Sequence, residues 1–157
     1  MVKAFTVVEL IFIIVIIGIL SSIALPKLNA TRDDAKINSI ISTTKNIINN
    51  SKAFYSAKGE KQWNVANIYS VTNKSLFTDS SCLSQITNTT KVLSDGSSGT
   101  FYICDNRDNI VKLDFNKSHL VVSPTNINTT VAKGVRNSSS FKSIAHPHRL
   151  SGIAVSK

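Results

Sequence analysis

The chain has 157 residues, 42% of them hydrophobic, which allows one compact domain plus one extra element and excludes a second full domain. Lys and Arg number 18 against 9 Asp and Glu, a formal charge of +9, and no acidic residue follows Asp114. That balance fits either a basic solvated surface or an anionic partner such as nucleic acid, phospholipid or polysaccharide. Apolar residues crowd between Phe5 and Leu25, while the remainder is rich in Ser, Thr and Asn. The core outside that stretch is therefore expected to be modest.

The run LIFIIVIIGIL at residues 10–20, with its flanks, makes an apolar helix of roughly 20 residues, long enough to cross a hydrocarbon core of ~30 Å. Three readings compete for it: a cleaved secretory signal, a plain transmembrane anchor, and an anchor with a special role. Lys3 and the small residues around Ser22 and Ala24 suit the first. Glu9 argues against it, because a carboxylate deep in the bilayer costs on the order of 2.5 to 3.5 kcal/mol. Either Glu9 stays hydrated at headgroup level, or a cation neutralises it. The nearest such cation in sequence would be a free amino group created by cutting before Phe5.

Lys3-Ala4-Phe5-Thr6-Val7-Val8-Glu9-Leu10, followed by the apolar run with Gly18 and Pro26, resembles the N-terminus of type IV pilins and of the pseudopilins of type II secretion systems. The resemblance covers roughly residues 1–36. It implies cleavage by a prepilin peptidase between Ala4 and Phe5, methylation of the new amino terminus, and an assembly role for Glu9. This chain has Ala4 where the family usually has Gly. Gly18 and Pro26 match the family's helix-breaking positions. By the same resemblance the protein is a single-pass subunit of the bacterial inner membrane, its globular part outside the cytoplasm. Its partners would be an inner-membrane assembly platform and other pilin or pseudopilin subunits, met through the N-terminal helix of each.

After Pro26, Ile37, Ile40, Ile41, Ile47, Ile48, Phe54 and Tyr55 recur at helical spacing, with Lys36, Asn38, Lys45, Asn49 and Lys52 on other faces. Lys58 followed by Gly59 reads as the helix end. A helix from Phe5 to Ala57 would be about 80 Å long, with a kink or local melting expected at Pro26, helped by Gly18. Residues 60–99 form a connecting region in which Trp63, Val65, Ile68 and Tyr69 suggest a short helix. TFYIC at 100–104, IVKLDF at 110–115 and HLVVS at 119–123 are β-prone runs separated by turn-forming residues, an antiparallel meander. The polar segment after Pro124 reads as a covering arm or a loose tail.

Cys82 and Cys104 are expected to form a disulfide if the apolar helix is an anchor, since both would then lie in an oxidising compartment. His146 and His148 come close in sequence, but with no carboxylate after Asp114 a metal site is the weaker reading. Asp114-Phe115-Asn116-Lys117-Ser118 resembles an extended bacterial N-glycosylation sequon and also fits a strand ending in a turn, the favoured reading. No catalytic constellation, cofactor motif or phosphate loop is present, so no cofactor is expected and an anchored enzyme has no site to rest on.

The expected fold is α+β and pilin-like: a long N-terminal helix, apolar then amphipathic, packed on a small antiparallel sheet. The divisions are a leader (1–4), the transmembrane and assembly half of the helix (5–28), its amphipathic half (29–58), the connecting region (59–99), the meander (100–123) and a basic Ser-rich arm (124–157). The expected function is that of a structural subunit of a type IV pilus-like or type II secretion filament. The alternative is a minor pilin that binds DNA without sequence preference, with Lys133, Arg136, Lys142 and Arg149 as candidate phosphate contacts.

Overall fold

A computed structural model describes residues 6–150; Ala4 and Phe5, the expected cleavage site, lie outside them. The chain divides into two compact units, residues 1–35 and 36–157. The described part of the first is helical: helix α1 (Val7–Val65) begins here, and its apolar side chains from Val7 to Leu28 are solvent-exposed. Two of its hydroxyls bond back within the helix, Ser22 Oγ donating to the Ile19 carbonyl (2.7 Å) and Thr31 Oγ1 to that of Lys27 (2.9 Å).

Helix α1 keeps helical φ/ψ at Gly18 and Pro26, so it does not melt there; the one residue of α1 with non-helical φ/ψ is Gly59 (φ 74°, ψ 175°). Proline's fixed φ is itself a helical value, and the ring removes a single donor from a helix that is long on both sides. Gly59 does leave the helical region, as its permissive backbone allows. The helix is not finished there, however, and resumes to Val65. What holds the resumed turn is Trp63, fully buried between Phe54, Tyr55 and Phe115, with ring centroids 6.3, 5.7 and 5.9 Å away. Its indole N–H donates to the Asn116 carbonyl at 3.1 Å. Helix α2 (Ile68–Thr72) follows, capped by Asn67, whose side chain accepts from the Ser70 amide, and closed by Asn73 in the left-handed region.

The second unit is built on a four-stranded antiparallel sheet in the order β1 (Ser98–Asp105), β2 (Asp108–Asn116), β3 (His119–Pro124) and β4 (Pro147–Arg149). Three strands were expected; β4 was not. Register aligns Phe101, Leu113 and Val122 in one row across the sheet, and Gly99, Phe115, Leu120 and His148 in another. The apolar side chains of these rows, Phe101, Leu113, Val122, Phe115 and Leu120, join Ile40, Ile41, Ile47 and Ile48 of α1 in one contiguous core. The residues after Pro124 are no loose tail as far as Leu150: α3 (Thr130–Asn137) and α4 (Ser139–Lys142) bury Val131, Ala132, Val135 and Phe141 before the chain returns as β4. The observed class is α+β, with a long N-terminal helix on a small antiparallel sheet.

Cys82 and Cys104 are joined, with Cα atoms 6.1 Å apart. Asp79 shapes the loop that presents Cys82, accepting backbone N–H bonds from Ser81, Leu83 and Ser84. Hydrogen bonds from Ser81 first, then from Ser84 and Leu83, hold its carboxyl well below the usual range. Beside Cys104, Asp105 pairs with Lys36 of α1 at 2.8 Å.

Gly99 is required by a close approach: a Cβ there would lie 1.9 Å from the Val92 carbonyl oxygen, and the Val92 amide is itself tied to the Ala66 carbonyl (2.9 Å). Gly99→Ala is therefore expected to destabilise the protein by about 1–3 kcal/mol, seen as a lowered Tm in nonionic detergent. An unchanged Tm would show that the Val92 segment can retreat.

Candidate functional site

Helix α1 opens with a reciprocal cap. The Thr6 amide and hydroxyl both donate to Glu9 Oε2, at 2.9 and 2.8 Å, and the Glu9 amide donates back to Thr6 Oγ1 at 3.3 Å. This is a capping box, in which a residue before the first turn and a carboxylate three positions on satisfy each other's backbone donors. The Thr6-Val7-Val8-Glu9 spacing carried that signal, and weighing Glu9 only by the cost of its charge overlooks it. The carboxylate thus has hydrogen-bond partners inside its own chain.

Beyond the cap, Val7 is 73% exposed and Leu28 64%, and the long side chains between them are exposed as well. The helix is long and apolar enough to cross a membrane. A Cβ on Gly18 would meet nothing within 4 Å, so no contact among the described residues requires a glycine there.

The four basic residues proposed from sequence do not form one set. Arg136 is partly buried and donates through Nη1 to the carbonyls of Thr125 (2.8 Å) and Ile127 (3.4 Å), closing the loop before α3. Lys133, Lys142 and Arg149 are exposed, one each on α3, α4 and β4. One arm of the Arg136 guanidinium, Nη1, is thus occupied by its own loop.

A different cationic cluster lies on α1. Lys45, Asn49 and Lys52 share one helical face and, with Ile48, Ile144 and His148, line a groove of about 250 Å³. His148 is buried because it ends the core row Gly99, Phe115, Leu120. Its Nε2 lies 2.8 Å from the Ile144 carbonyl, which can only accept, so Nε2 carries the proton. The His146 ring stands against it with centroids 4.2 Å apart. Among the described residues no group of three or more His, Cys, Asp or Glu side chains could hold a metal ion.

The chain matches no protein-family model, no curated protein and no solved structure. The class rests on the architecture itself: a long helix, apolar at its N-terminal end, whose later turns pack on a small antiparallel sheet, an arrangement consistent with a pilin-like fold.

Burial, followed by the charges of His146 and Lys52, pushes the His148 imidazole below its ordinary value near 6.5, against the opposing effect of the Ile144 carbonyl. The unfolded chain then binds more protons than the folded one, so stability is retained above the ordinary value and lost as pH falls below it. Chemical denaturation in nonionic detergent should show a falling midpoint between about pH 7 and about pH 5. His148→Gln should reduce that slope; an undiminished slope would assign it to other groups.

Proposed function

We propose that the protein is a structural subunit of a type IV pilus-like or type II secretion filament, cut between Ala4 and Phe5 and assembled through its N-terminal helix. The observation that carries this reading is the apolar face of α1 from Val7 to Leu28, which has no partner among the described residues. A bilayer satisfies such a surface before assembly, and neighbouring copies of the same helix satisfy it afterwards. Gly18 supports close packing by a neighbouring helix, because small residues let apolar helices approach. In this reading Glu9 has two roles, capping its own helix and attracting the amino terminus of Phe5 on an adjacent subunit.

The nucleic-acid alternative has less to stand on. Arg136 spends its Nη1 on its own loop, and the three exposed cations sit on separate elements.

Two substitutions separate the roles of Glu9. Glu9→Gln keeps the cap, since an amide oxygen also accepts from the Thr6 amide, but removes the charge. Membrane-fraction abundance should be unchanged, while the amount recovered in sheared filaments should fall about tenfold or more, as for a lost desolvated ion pair. Thr6→Val keeps the charge and weakens the cap by about 0.5–2 kcal/mol, so filament recovery should fall less. Wild-type filament recovery for Glu9→Gln would leave Glu9 as a cap alone. Mass spectrometry of the mature chain should find its first residue to be Phe5, whereas a start at Leu25 would identify a secretory signal and overturn the reading.

A further inference from the structure

The groove on α1 plays no part in the assembly reading. Lys45, Asn49 and Lys52 stand at i, i+4 and i+7, so their side chains emerge along one face, above an apolar wall from Ile48 and Ile144. Among the described residues the lysines that find carboxylate partners are Lys36 and Lys112, not Lys45 or Lys52. No acidic residue of α1 lies between Asp34 and Glu60. Two ammonium groups, a carboxamide and a buried imidazole therefore meet at one concavity without a counter-charge.

His148 makes the cluster more than a solvated lysine face. The charged and titratable groups around it are Lys45 and Lys52 from α1 and His146 from the turn before β4, while its register partner on β3, Leu120, does not titrate. Because Nε2 already donates to the Ile144 carbonyl, an added proton goes to Nδ1 and creates a new cationic donor. The neighbouring cations oppose that proton, and an entering dianion reverses the sign of the local field.

We propose that this groove binds a phosphate group, either as the free ion or as a terminal phosphomonoester such as a lipid headgroup, with Lys45 and Lys52 supplying charge, Asn49 a neutral donor, and His148 taking up a proton from solvent as the anion enters. A phosphate carries about −1.5 to −2 charge and several acceptor oxygens, matching a site with two fixed cations and further donors better than a carboxylate does. Binding and protonation are then linked: the anion raises the proton affinity of His148, and acid strengthens the anion's hold.

The test uses the full chain in nonionic detergent, following the His148 imidazole by NMR at constant ionic strength balanced with chloride. Inorganic phosphate should shift its signal saturably. Sulfate, a dianion throughout the range, should bind about tenfold more tightly below the His148 titration than above it, equivalent to a rise of about one pKa unit in the complex. Lys45→Gln and Lys52→Gln should each weaken binding by about tenfold, while Lys133→Gln should leave it unchanged. Both groove lysines are exposed, so the test does not depend on whether a His148 variant folds. Micelles doped with phosphatidic acid form a separate arm: a response there but not to free phosphate assigns the site to a headgroup. No His148 response to phosphate, sulfate or phosphatidic acid overturns the proposal, as does equal weakening by Lys133→Gln.

Discussion

The folded unit depends on how Trp63 is held. Gly59 interrupts α1, and without a reason to continue, the chain would leave the helix there. Trp63 supplies that reason by burying its indole against two aromatic rings of α1 itself and against Phe115 of β2, while its N–H caps the Asn116 carbonyl at the end of that strand. Phe115 stands in turn edge-on to Phe101, with centroids 5.6 Å apart. Helix, interruption and sheet are thereby fixed to one another through a single aromatic chain. Such rings contribute both buried area and preferred geometry, and the indole N–H is satisfied rather than stranded.

At the other end of α1, the proposed membrane and filament settings make the cost of a carboxylate in apolar surroundings the governing quantity. The Thr6 cap lowers that cost by giving Glu9 hydrogen bonds, but hydrogen bonds do not cancel the charge. In the proposed filament, capping its own helix and attracting a neighbour's amino terminus would be compatible demands on Glu9.

Much of the fold was legible because it rests on periodicity. The stripe from Ile37 to Tyr55, the three longer strands and the cysteine pair were all apparent from spacing and compartment. β4 was not, because Pro147-His148-Arg149 has no strand pattern of its own; pairing with β3 makes it a strand, and His148 is core only through its place in a cross-strand row. Helix α3 was hidden by its low apolar content, although Val131 and Val135 are spaced for one face and Thr129 provides the cap. In the candidate site, the apolar helix and Glu9 were readable, but the turning of Arg136 toward Thr125 and Ile127 was not, since nothing local distinguishes it from Lys133. The Lys45, Asn49 and Lys52 face was visible as a polar side of the helix, and only the fold brings His148 to it.

The disulfide has a consequence for the sheet's borders. Phe77 pairs through its backbone with Tyr102 on the outer side of β1, at 3.0 and 2.9 Å, and the Cys82–Cys104 bond ties the following loop to that same strand. The unpaired backbone groups that would otherwise template a foreign strand are partly occupied there. The opposite border, β4, is three residues long, begins with a proline and ends with a charged arginine. Short, proline-bearing and charged edges resist strand addition. Both borders of the sheet therefore offer little continuous backbone for edge-to-edge joining of crowded copies into amyloid-like ribbons.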